Sequence, residues 1–245
     1  MPTAFKFGKK AARRSRKTLA LSNYLHMGAM AYPPVQAWER PIDLGMLGND
    51  SVGDCTIAGF YHLRMIQRSV AQAGNPLVVS TEQALADYST ITGYNPNDPS
   101  TDQGANCIDV LNYYRSKGVI PGYVSLDQNN VDQIKAANYI FGGLYIGFQV
   151  PQSTVDELNA GIDPTFNFVA NDKPSGEGHC VDPCGHGRAG YTFASWGKYY
   201  RASWDYWMAW VDEAYAVVAP DWIKASGVSP SALDLNGLLA DMAQV

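Results

Sequence analysis

Two side chains that could form a thiolate–imidazolium pair stand far apart in this chain. Cys55 closes the turn-rich stretch "NDSVGDC" and opens the helix-like run "TIAGFYHLRMIQRSV". Backbone N–H groups at a helix start favour negative charge, so a thiol there ionises more readily. His179, flanked by Gly178 in "GHCVDPC", is the base that could take the proton. A lone cysteine and a lone histidine are more often packing residues. The elements that position them therefore decide what the pair means.

Asp54 is expected to cap a helix running from Cys55 to about Ala73, closed by Gly74. Ser80 followed by Gln83 is a capping-box pattern, and that helix should end near Gly93. A long polar loop, "NPNDPSTDQGAN", leads to a helix from about Cys107 to Lys117 before Gly118. Then the pattern changes. "NNVDQIKAANYI" reads as a short helix, and "GGLYIGFQV" alternates as a strand. Residues 151–176 read as an irregular connection. "GHCVDPC", "AGYTFASWG" and the stretch around Glu213–Val218 read as strands, with Pro183 at an edge or a bulge. The C-terminal "SPSALDLNGLLADMAQV" reads as a short helix. Residues 1–45 look extended, since Pro33, Pro34 and Pro41 oppose helix. Helices first and strands later indicate an α+β fold.

A hydrophobic content of 46%, with 12% aromatic residues, can fill one large domain or two lobes sharing a cleft. No internal repeat stands out, and no apolar run is long enough to imply a membrane span. Four cysteines are too few for a disulfide-stapled secreted fold, so a reducing compartment is expected. The net charge is −5, yet Lys6, Lys9, Lys10, Arg13, Arg14, Arg16 and Lys17 crowd one stretch, with no acid before Glu39. An acidic body thus carries a basic N-terminal arm. A solvated tail is the plain reading. The sharper one is an arm that binds nucleic acid or an acidic protein surface in a larger assembly. "RRSRKTLALSNYLHMGAMAYP" begins like a secretory or twin-arginine signal, but Asn23 and His26 interrupt its apolar part. Secretion is not expected; a cytoplasmic or virion-associated location is.

Seven segments, in order, resemble the papain-like cysteine peptidases, of a divergent bacterial or phage type. "NDSVGDCTIAG" is similar to that family's nucleophile segment, with Asn49 where the family has its oxyanion-hole Gln and Thr56 replacing an aromatic residue. "STEQALADY" resembles Ser-Glu-Gln-x-Leu-x-Asp-Cys, with Tyr88 in place of the cysteine. "DQGANCIDVLNYYRSKGVI" and "VDQIKAANYIFGGLYIGFQV" resemble the segments that follow. "GHCVDPCGH" is similar to the segment of the catalytic His, "ASWGKYY" to Asn-Ser-Trp-Gly, and "DEAYAVV" to the closing strand.

The resemblance covers about residues 47–218 and implies a two-lobed fold. It gives an arm over 1–40, a papain-like domain over 41–219 and an extension over 220–245. The helical lobe would span about 41–120 and the β lobe about 121–219. It implies Cys55 as nucleophile, His179 as base and then acid, Asn49 as oxyanion donor and Trp196 as a shield for the imidazole, without cofactor or metal. The third catalytic position falls on Ala194, which cannot orient an imidazole; Asp182, Asp205 and Glu177 are the substitutes considered.

His179, Cys180, Cys184 and His186 crowd together, but not at a common zinc spacing, and the cysteines read as buried thiols. Cys107, Trp204, Trp207 and Trp210 read as core. His62 has no obvious partner, and His26 lies outside the matched region. Two functions follow. One is a cysteine peptidase or thiol acyl-transfer enzyme acting on peptide or protein. The other is an inactive structural protein on the same fold, such as a phage virion subunit held through its basic arm.

Overall fold

The computed structural model describes residues 5–29, 31–72, 74–219, 222 and 234–244. In chain order the first half is mainly helical. Short strands β1 (Leu19–Ala20) and β2 (Gln36–Ala37) precede α1 (Cys55–Ala71), α2 (Thr81–Thr92) and α3 (Cys107–Ser116). Next come β3 (Gly122–Ser125), α4 (Val131–Phe141), β4 (Tyr145–Pro151), α5 (Gln152–Asn159) and β5 (Pro174–His186). β6 (Gly190–Ser195), β7 (Lys198–Ser203), α6 (Trp204–Trp210), β8 (Val211–Val218) and α7 (Leu235–Met242) complete it. The strands form one sheet in the order β1-β3-β8-β4-β5-β6-β7, with β2 added to the far end of β5. Apart from the parallel β1–β3 pair, its ladders are antiparallel. The fold is α+β, with a helical lobe against a β lobe.

Local chemistry explains most boundaries. Ser80 Oγ accepts the Gln83 N–H at 3.2 Å, and α2 ends on left-handed Gly93. The helical lobe packs around Phe60, Tyr88 and Tyr114, with Phe60 and Tyr114 stacked at 3.8 Å. Asp87 collects the hydroxyls of Tyr61, Tyr113 and Tyr114, so this core carries a satisfied acid. The β lobe buries Phe148, Phe166, Phe193, Tyr206 and Trp207.

Three expectations change. Asp54 occupies the N-cap position of α1, but its side chain caps nothing; it is fully buried and neither carboxylate oxygen has a hydrogen-bond partner. Burial holds it well above the usual carboxylate pKa range. Residues 151–176 are not wholly irregular: α5 lies there, with Val155 and Leu158 against the β-lobe core. Trp204 and Trp210 are only partly buried and lie at the rim of that core. Pro183 sits where the β5–β6 register slips between Pro183 and Gly185, a bulge that tolerates a missing N–H. The expected end of α1 at Ala73, and residues 229–233 of the expected C-terminal helix, lie outside the described residues.

Candidate active site and the segment that fills it

The loop before Cys55 is shaped by left-handed backbone at Gly45, Leu47 and Gly48. Asp102 ties it down from the polar loop after α2, accepting the Gly53 N–H at 3.0 and 3.2 Å and the Tyr88 hydroxyl at 2.6 Å. Cys55 is the first residue of α1, where backbone N–H groups have no partner within the helix. Asn49 is buried behind it. Its amide donates to the Val52 carbonyl at 3.1 Å and also faces Asp54.

The other half of the site is built on strands. His179 is fully buried on β5, and its Nε2 lies 2.7 Å from Ser195 Oγ, at the end of β6. Trp196 stacks on the imidazole, with ring centroids 4.3 Å apart and planes inclined at 20°. Trp196 and Gly197 are the two central residues of the β6–β7 hairpin, at φ 47° and 75°. Both signs are positive, as a type I′ hairpin turn requires. A tryptophan is uncommon in that conformation, and here it places the indole on His179.

Sequence reading passed over Ser195. Neighbours on a strand face opposite sides of the sheet. Ala194 turns towards Leu44, Met65, Ile66 and Cys184, while Ser195 turns towards His179. The side-chain partner of the imidazole is therefore one residue beyond the position expected from the motif. Asp182, also weighed for that role, is fully buried with no hydrogen-bond partner. Asp205 belongs to α6 and Glu177 is exposed; His179 hydrogen-bonds neither.

Between the two halves runs the N-terminal segment. Phe7 packs edge-on to His179, and Phe5 and Phe7 both contact Trp196. The Lys6 N–H donates to the Asn49 carbonyl, and the Gly8 and Lys9 N–H groups donate to the Gly178 carbonyl. Gly8 accepts from the Ala105 N–H at 2.8 Å, and the Lys10 N–H donates to the Ala105 carbonyl at 2.9 Å. Lys9 thereby pairs in parallel with Ala105. The approach is too close for side chains: a Cβ at Gly8 would lie 1.7 Å from the Gly53 carbonyl oxygen.

This cover sets the electrostatics. Burial pushes the Cys55 thiol up to about 12, although N–H groups of Cys180 and Gly8 favour its thiolate. Burial also pulls His179 down to about 3, with a smaller contribution from His62. Nδ1 of His179 has no hydrogen-bond partner, and the Cys55 sulfur is not bonded to it. In this covered state the pair is a neutral thiol and a neutral imidazole. All four cysteines are free and buried. Among the described residues, no group of three or more His, Cys, Asp or Glu side chains is placed to hold a metal ion, and no helix is long and apolar enough to cross a membrane.

No family model matches the chain, and no curated protein matches it by sequence. Solved structures do match in shape. Xylellain, a cysteine protease from Xylella fastidiosa, superposes with a TM-score of 0.60 at 14% identity, over 89% of this chain and 98% of that one. Digestive procathepsin L 3 from Tenebrio molitor larval midgut gives 0.53 at 13% identity, over 82% and 76%. A Carica candamarcensis cysteine protease in complex with E-64 gives 0.50 at 13%, over 77% and 99%. The chain has the papain-like fold, in a divergent form.

Proposed function

We propose that the chain is a papain-like cysteine peptidase, or a related thiol acyl-transfer enzyme, whose cleft is closed by its own N-terminal segment. One observation carries this reading: an extended segment crosses the start of α1, bonded through its backbone to both lobes, with Cys55 and His179 beneath it. A cleft that holds one extended chain this way suits a peptide substrate.

In the open cleft, His179 Nδ1 takes the Cys55 proton. The thiolate attacks the substrate carbonyl carbon, and the imidazolium returns the proton to the departing amine. Water then releases the acyl group. The Cys55 backbone N–H is the oxyanion donor; the Asn49 amide, expected to share that role, is engaged by the Val52 carbonyl and faces Asp54. Ser195 orients the imidazole, and Trp196 covers it.

A second reading is favoured by the raised thiol, the lowered imidazole and the absence of a bond between them. It is an inactive interaction protein on this fold, for example a cytoplasmic or virion-associated subunit of a larger assembly. Lys10, Arg14, Arg16 and Lys17 stay exposed and would meet nucleic acid or an acidic surface. Alkylation separates the readings. In the full chain with Gly8→Leu, which displaces the segment, iodoacetamide at neutral pH should label Cys55 well before Cys107, Cys180 and Cys184. Equal, slow labelling of all four would leave the inactive reading standing.

A further inference from the structure

Lys9 differs from the other basic residues of its segment. It is 6% exposed overall and its side chain is 1% exposed, whereas Lys10, Arg14, Arg16 and Lys17 lie in solvent. Its ammonium lies 2.9 Å from one Asp212 oxygen, 3.0 Å from the other, and 3.2 Å from Glu213 Oε1. It also donates to the Lys10 carbonyl at 3.2 Å.

The pocket is built for such a group. Adjacent strand residues normally face opposite ways, yet Asp212 and Glu213 both reach Lys9. The β4–β8 register explains this: Gly147 pairs with Glu213 and Phe148 with Val211, so Asp212 is the extra residue of a bulge. Gly147 forms the wall, and a Cβ there would lie 1.9 Å from the Lys9 Cε. Glu213 is 6% exposed; Tyr215 donates to its Oε2 at 2.9 Å, and its Oε1 has no hydrogen-bond partner, only the ion pair. Burial pushes its carboxyl up and Lys9 draws it back. Two adjacent carboxylates so placed are costly without a cation.

We propose that this pocket selects a lysine side chain in the peptide that replaces the segment, and that Lys9 is its resident occupant. This rests on the peptidase reading above and names its substrate class. A peptide that takes the segment's place can bond to the same Ala105 N–H and C=O in either direction: through the residues flanking its lysine when parallel, and through the lysine's own N–H and C=O when antiparallel.

The test separates binding from chemistry. The full chain carrying Gly8→Leu and Cys55→Ser is titrated with a fluorescein-labelled peptide Ala-Lys-Gly-Ala and its norleucine counterpart. The lysine peptide should bind at least about tenfold tighter, a gap of about 1.4 kcal/mol, and D212N with E213Q should erase that preference. Equal affinities, or no binding of either peptide, would overturn the proposal. Failure of the peptidase reading shows elsewhere, in Cys55 alkylation of the Gly8→Leu parent, which keeps its thiol. A second measurement needs no displaced segment. Lys9→Met in the otherwise natural chain should speed Cys55 alkylation by at least about tenfold, because the segment loses its anchor. An unchanged rate would show that the pocket holds nothing that matters.

Discussion

Ser195 Oγ lies 2.7 Å from Nε2 of His179, on the side of the ring away from the unpartnered Nδ1. In the proposed mechanism that bond does the work that the family resemblance gives to an asparagine carbonyl. The two are not equivalent. A carbonyl only accepts, and so demands a proton on Nε2; a hydroxyl both donates and accepts. Ser195 thus fixes the plane of the imidazole without fixing its tautomer, and Trp196 fixes the plane from the other direction by stacking at 4.3 Å.

Ser195→Ala should therefore lower kcat in the opened enzyme by about tenfold to a hundredfold, with KM little changed, since it frees the ring but removes no reacting group. Ser195→Thr, which keeps the hydroxyl, should restore most of it. Steady-state kinetics on a lysine-bearing peptide in the Gly8→Leu background checks this. A Ser195→Ala enzyme at full rate would leave orientation to Trp196 alone.

Closure also gives Cys55 a characteristic pH response. With the thiol pushed up to about 12, the thiolate fraction at neutral pH is minute and grows about tenfold per pH unit. Alkylation of Cys55 in the natural chain should therefore climb steadily from pH 7 to 9. In the Gly8→Leu variant it should be faster at pH 7 and nearly flat above it. Stability follows the same shift with a definite sign. The folded thiol ionises later than the unfolded one, so its contribution is present below about pH 9 and is lost as pH rises towards 12. Rate–pH profiles of the two proteins, read by mass spectrometry on the Cys55 peptide, decide the point.

These features were unequally legible in the sequence. The helices α1, α2 and α3 and the main strands were readable because caps, glycines and alternation are local signals. The positions of Cys55, His179 and Trp196 came from ordered motifs. Ser195 was hidden by strand parity: the motif aligns residue by residue, but the side that each residue faces is set by β5–β6 pairing. Helix α5 was hidden by "QSTVDELN", whose Ser, Thr and Asn favour other conformations and whose two apolar residues are three apart. The burial of Lys9 had no local signal at all. Its partners, Asp212 and Glu213, lie near the other end of the chain, and the bulge that turns both inward belongs to β8.

Asp87 tests the helical lobe independently of the cleft. It is 8% exposed and accepts from Tyr114 at 2.9 Å, from Tyr113 at 3.3 Å, from Gln83 at 3.2 Å and from Tyr61. Asp87→Leu leaves these donors facing an apolar group. A loss of about 2–4 kcal/mol is expected, from stranded buried hydroxyls more than from the lost charge. Urea unfolding should show a lower midpoint with an unchanged slope. Asp87→Asn, which keeps an acceptor, should lose less than half as much.

Asp102 couples the polar loop to the turn before Cys55. Its carboxylate holds the Gly53 N–H and the Tyr88 hydroxyl, and Tyr88 in turn accepts the Gly104 N–H at 2.8 Å. Gly53 and Gly104 are the two glycines whose backbones press on Gly8. Asp102→Ala should therefore loosen both the loop before Cys55 and the track that holds the segment. The expected cost is about 2–3 kcal/mol, or roughly 4–12 °C in Tm for a chain of this size. A purely structural change would stop there. Because the same bonds close the cleft, Cys55 alkylation in the natural chain should also accelerate well below the unfolding temperature, while Cys184, on β5 and buried against Met65, Ile66 and Ala194, stays slow. Alkylation of both thiols at one common rate would mean that Asp102 supports global stability and does not act on the closure of the cleft.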